Sequence, residues 1–130
     1  MNKKNLQIMY DWLYANQEMI EPKFNMSIYR LTNSDFYNHI CGTQGCLLGW
    51  GVGAFPYEEL PKDKYDKSIQ FNRFSEEILE IDISSRIWDF MFSERWSCIN
   101  NTLEHALGRI KHVLDGKELT DHPDIERFEL

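Results

Sequence analysis

Glycine recurs at every fourth position, Gly45, Gly49 and Gly53, inside an apolar stretch that runs from Thr43 to Pro56. In a helix these three residues share one face, and that face has almost no side-chain relief. Each glycine lowers helix stability by about 1 kcal/mol relative to alanine, so the pattern calls for a compensating contact. Another backbone, or a ligand, must approach closely. Thr43 is the predicted N-cap, Gln44 to Phe55 the predicted buried helix, and Pro56 its stop. Gly45, Gly49, Trp50 and Gly53 are therefore candidates for internal helix packing or for a ligand or partner surface.

The other elements are expected to close around this rod. From Asn5 to Gln17, the residues Leu6, Met9, Tyr10, Leu13 and Tyr14 recur at helical intervals. Ile8 and Trp12 fall on the opposite flank, either covered by a second layer or exposed to a partner. Phe24, Met26 and Ile28 alternate with polar residues like a short extended stretch. Residues 58–67, with Pro61 and many charges, read as a surface loop. Ser75 is a predicted cap for a turn through Leu79. Ser84 or Ser85 is expected to cap a helix whose buried side is Ile87, Trp88, Met91 and Phe92. Asn101 or Thr102 opens the clearest amphipathic segment, with Leu103, Ala106, Leu107, Ile110, Val113 and Leu114 on one face and Gly116 at its end.

The expectation is a mainly α, compact single-domain helical bundle with short extended segments, spanning residues 1–116. Residues 117–130 are expected to form an acidic, partly ordered C-terminal tail. A chain of 130 residues with 42% hydrophobic content suits one core. Its longest apolar run falls short of the ~20 residues of a membrane helix. Three cysteines, without the dense spacing of a secreted framework, point to a reducing, cytoplasmic setting. A net charge of −7 opposes undirected binding to nucleic acid or anionic membranes. The acidic residues read as solvated faces or as a surface offered to a basic partner.

The segment Cys41-Gly42-Thr43-Gln44-Gly45-Cys46-Leu47-Leu48-Gly49 carries a Cys-Gly-Thr-x-x-Cys-x-x-Gly element. In this it resembles a group of small phage and bacterial proteins with that motif, the match falling on Cys41, Gly42, Thr43, Cys46 and Gly49. The likeness extends to Phe24-Asn25-Met26-Ser27, similar to a Phe-Asp-Met-Ser stretch in that group, and to the later apolar helix ending at Gly116. Trp50 departs from the pattern, because a histidine often follows the glycine there. The resemblance implies a compact helical domain of phage or bacterial origin and carries over no activity.

The chemistry-bearing residues leave several readings open. Cys41 and Cys46 bracket the predicted helix start, where the dipole and free N–H groups favour a thiolate; buried, they are small hydrophobes. His39, Cys41, Cys46 and Cys98 could supply a zinc tetrahedron, but their spacing lacks the paired clusters of structural sites, and no metal or other cofactor is expected. Gly49 to Ala54 fits G-x-G-x-x-A without the strand that a dinucleotide site requires. Trp12, Trp50, Trp88 and Trp96 either fill the core or stack on a base. His105, Arg109 and His112 form a positive stripe opposite Leu107 and Ile110, read as a solvated face or as an anion site with Arg109 as its fork of donors.

These features favour a non-catalytic binding protein of phage or mobile-element type, antagonising a host defence protein. The alternative is a binder of a nucleotide or other anionic small molecule, with Arg109 or Arg95 pairing the charge. A second alternative is a thiol-dependent enzyme on Cys41 or Cys46 with His39 as base.

Overall fold

The computed structural model describes residues 1–24, 47–93, 96 and 101–125. Thr43, Cys41, Gly45, Cys46, His39, Arg95, Cys98 and the period-two stretch beyond Phe24 lie outside the described residues. Helix α1 spans Lys3–Ala15, and its N-cap Asn2 accepts the amide of Asn5 through its side chain. Leu6, Met9 and Leu13 are fully buried along one stripe. Tyr10 is half-buried, and Tyr14 is exposed and stacked on it at 6.1 Å. The buried stripe is thus narrower than the sequence pattern predicts. Asn16 ends the helix by donating its side-chain amide to the Trp12 carbonyl. A four-residue helix α2, Gln17–Ile20, and a 3-10 turn, Glu21–Lys23, follow, with Pro22 in the first turn of the latter.

The glycine-bearing segment is described from Leu47 onward. Helix α3, Leu47–Gly51, has every residue buried, then tightens into a 3-10 turn over Val52–Ala54. That change from 3.6 to 3.0 residues per turn breaks the four-residue register before Gly53. The predicted helix to Phe55 is corrected accordingly. A close approach to α1 falls on Gly51, where an added Cβ would strike the Met9 sulfur.

Half of residues 57–70 are exposed, and Leu60, Pro61 and Ile69 are buried and anchor the excursion. An isolated antiparallel bridge joins Lys62 to Ile69, and the Asp63 amide donates to the Ser68 carbonyl. Tyr65 at the tip is 87% exposed.

A single turn α4, Phe71–Arg73, widens into a π turn over Phe74–Ile78. Ser75 does not cap it. Its side chain is fully buried and donates to the Ile81 carbonyl at 2.9 Å, so the hydroxyl satisfies a backbone acceptor after the turn. Asn5 donates to the Ile78 carbonyl, and the Asn2 amide to that of Leu79, tying this turn to the start of α1.

Helix α5, Arg86–Phe92, is capped by Ser85 through the Trp88 amide. Phe90, Met91 and Phe92 are buried, while Ile87 and Trp88 are half-buried. The last turn of this short helix is enclosed on several sides, so its burial follows depth more than face.

Helix α6, Leu103–Leu114, is capped by Thr102 through the His105 amide at 3.2 Å. Leu103, Ala106, Leu107, Ile110 and Val113 are buried as the periodicity predicts. At its end Gly116 adopts φ +75°, its amide donating to Val113 and the Lys117 amide to His112. This paired arrangement is a Schellman close, and the positive φ favours glycine. The chain is turned back, and residues 117–125 lie on α6 with a 3-10 turn at Leu119–Asp121 and with Asp124 and Ile125 buried.

The core is one cluster, in which α1 packs chiefly on α6 and on the α3 turn, and α5 packs on α6. The described residues form a mainly helical, compact domain. Among them no helix is long and apolar enough to cross a membrane.

Candidate functional site: a buried guanidinium under the C-terminal segment

The feature that packing alone does not explain is Arg109. The expected positive stripe on α6 is solvated at one residue of three: His105 is exposed, whereas Arg109 is 0% and His112 8% exposed. This corrects the reading of a solvated face. Part of the cover comes from the segment that Gly116 sends back along the helix, through Asp124 on Arg109 and Glu118 on His112.

The guanidinium has two described partners. Its Nη1 donates to Asp124 Oδ2 at 3.2 Å, and its carbon lies 4.0 Å from the centroid of the Trp96 ring. Trp96 is itself fixed, donating its indole N–H to the Phe90 carbonyl at 2.8 Å. Burial pushes the Arg109 pKa down to about 10, with the Asp124 carboxylate opposing that shift, so the group is a cation at neutral pH. Nε and Nη2 are buried and have no hydrogen-bond partner among the described residues.

Magnitudes decide how this should be read. A desolvated cation–π contact contributes about 2 kcal/mol, and one charged hydrogen bond about 1.5–3 kcal/mol. Burying the cation costs several kcal/mol, and each orphaned donor adds roughly 1–3 kcal/mol. The balance is unfavourable unless an acceptor reaches the Nε–Nη2 edge. That edge presents two parallel N–H groups, the geometry that matches two oxygens of a carboxylate or phosphate.

Around this group the C-terminal segment makes two polar attachments to α6 and one bond within itself. His112 Nε2 lies 2.6 Å from the Glu118 carbonyl, which requires a proton on that nitrogen. The Asp124 amide donates to His122 Nδ1 at 3.0 Å, which requires that nitrogen to be unprotonated. The third is the Arg109–Asp124 pair, whose side chains are 0% and 11% exposed. The His122 ring packs edge-on against Phe90 at 5.1 Å and His112 at 4.9 Å. Burial lowers the His122 pKa; Asp124 acts against this, and His112, Arg109 and His105 act with it.

The remaining sequence candidates fall elsewhere. Gly49 and Trp50 are buried in the core, and Gly53 and Trp12 are half-buried. The Trp50 indole N–H is buried without a partner, a neutral and less costly vacancy than that of Arg109. Gly45, Cys41 and Cys46 lie outside the described residues. Among the described residues no three His, Cys, Asp or Glu side chains converge as metal ligands do. Compared with known proteins, the chain matches no family model, no curated protein and no solved structure.

Sequence reading singled out Arg109 but missed Asp124, His122 and the stacking role of Trp96. One signal was present: a helix-closing glycine reverses the chain, so an acid eight residues beyond Gly116 is brought back to the basic stripe.

Proposed function

We propose that the protein is a non-catalytic binder of an anionic ligand, and that Arg109 receives two oxygens of a carboxylate or phosphate on its Nε–Nη2 edge. The observation that carries this reading is a fully buried guanidinium with that edge unpaired. Asp124 holds the opposite arm and Trp96 the face, which fixes the orientation of the free edge. This support favours the anionic small-molecule reading over the host-protein one. The thiol-dependent alternative draws no support from the described residues, since Cys41 and Cys46 are outside them.

Thermal shift with inorganic phosphate, succinate and AMP tests it and separates the oxyanion sources. A bound anion at about 100 times its Kd adds ~2.7 kcal/mol to the folded state, and the gain should vanish in Arg109→Lys, which keeps the charge but loses the fork. An equal shift in wild type and Arg109→Lys, or no shift with any of the three, would overturn the reading.

A protein partner has separate, narrower support. Tyr14 is 61% and Met19 44% exposed at the α1–α2 corner, beside an open hollow lined by residues 14–19. Such apolar exposure suits a docking rim. Paired Tyr14→Ser and Met19→Ser substitutions should leave stability within about 0.5 kcal/mol and abolish capture of a host protein. Unchanged capture would remove this second reading.

A further inference from the structure

We propose that the segment from Lys117 to Ile125 is a proton-operated latch over Arg109, shut while His122 is neutral and released when its Nδ1 takes up a proton. The gating of an anion rests on the reading of Arg109 given above; the latch itself does not. Three observations carry it. Arg109 has no exposed surface, and Asp124, which pairs with it, belongs to this segment; undocking the segment therefore removes one of the groups that cover it. The segment is hinged at one end on Gly116, whose positive φ reverses the chain. Its far end is organised by His122, because Nδ1 accepts the Asp124 amide two residues on, while the His122 carbonyl accepts the Ile125 amide.

A proton on Nδ1 turns that acceptor into a donor facing another donor. The Asp124 amide loses its partner, and the turn that aims the Asp124 carboxylate at Arg109 loses its brace. The groups facing His122 among the described residues are Asp124 from its own segment and His112, Arg109 and His105 from α6; Phe90 of α5 is uncharged. Asp124 is the one group that favours the imidazolium. Its Oδ2 is 3.9 Å from Nδ1 and is already engaged by Arg109 at 3.2 Å. Burial and the neighbouring positive charges outweigh it, so His122 has its pKa lowered while the segment is docked. Undocking restores an ordinary histidine, and proton uptake therefore favours the undocked state as pH falls below about 6.5. Release then uncovers Arg109 and adds a positive charge beside it, so the rate at which an oxyanion enters should rise on acidification.

The test uses amide exchange of the full-length chain at pH 7.5 and 5.5 without added anion, corrected for intrinsic rates. In wild type the Asp124 and Ile125 amides should lose protection several-fold at pH 5.5, up to the roughly tenfold that one proton on a histidine of ordinary pKa allows, while Ile110 and Val113 within α6 keep theirs. His122→Asn places an acceptor oxygen where Nδ1 was and does not titrate; it should hold protection at both pH values. Retained protection in wild type, equal loss in His122→Asn, or parallel loss across α6 would overturn the latch. If His122→Asn does not fold, the titration of the His122 ring protons in wild type decides: an apparent pKa below the ordinary histidine value supports the latch, and one at or above it refutes it. Because this exchange experiment contains no anion, it can fail while phosphate still binds Arg109, and it can succeed while phosphate does not bind.

Discussion

Gly51 of α3 sits under Met9 of α1 with no room for a Cβ, since a carbon built there would meet the Met9 sulfur. Met9 is fully buried and has little freedom to move aside. Gly51→Ala should therefore cost about 1–3 kcal/mol by overpacking, partly offset by the roughly 1 kcal/mol that alanine gains in helix propensity. Met9→Ala alone should cost about 2–5 kcal/mol. The double variant should be more stable than the two losses predict when added, and urea denaturation of all four proteins measures that coupling. Strict additivity would remove the contact from the account of the fold.

Arg109 and Asp124 offer a sharper test of what the buried pair is for. Asp124→Ala removes the one hydrogen-bonded counter-charge and should destabilise by about 3–5 kcal/mol, because a buried cation is left alone. Arg109→Met combined with Asp124→Asn removes both charges and should recover most or all of that loss. A protein that is as stable as wild type yet unresponsive to anions would locate the purpose of the guanidinium in binding. The readouts are urea midpoints and thermal shift with inorganic phosphate.

The pH dependence of stability has a definite sign. His122 is buried neutral with its pKa lowered, so the unfolded chain binds its proton more readily than the folded one. Its contribution is complete above about pH 6.5 and is lost as pH falls from there through the lower folded value. The urea midpoint should drop between pH 7.5 and 5.5, and His122→Asn should flatten that drop. An identical slope in both proteins would assign the acid sensitivity to other groups.

Two termini of α6 carry separable energies. Thr102→Ala removes the acceptor of the His105 amide and should cost about 1 kcal/mol. Gly116→Ala places a Cβ at φ +75° and should cost about 1–2 kcal/mol, with Gly116→Asn losing less because asparagine tolerates that region. Thermal denaturation checks both. Gly116→Ala should in addition raise exchange at Asp124, since the reversal that delivers it is strained.

Local chemistry was the legible part of this molecule. Ser85, Thr102 and Gly116 act as the caps that their residue types announce, and the apolar face of α6 is buried along the line its spacing draws. What escaped depends on chain segments far apart in sequence. Nothing local marks Gly51 as the place of a close approach; the arrival of Met9, 42 residues earlier, does. Ser75 looks like a cap until a π turn brings the Ile81 carbonyl to its hydroxyl. Arg109 was legible as a candidate donor but not as a buried one, because its cover arrives through Asp124 after a chain reversal. Tyr14 has the correct helical phase for burial, yet it is exposed while Leu13 in the same turn is fully buried.

The excursion that carries Tyr65 has its two ends clasped together by the Lys62–Ile69 bridge and the Asp63–Ser68 bond, with Leu60 and Ile69 seated in the core. Lengthening a loop whose stems are already joined adds little closure entropy, about 0.6 kcal/mol per doubling. An epitope or fluorophore-bearing peptide spliced beside Tyr65 should thus report on the protein inside a cell without disturbing either α6 or the segment folded over it.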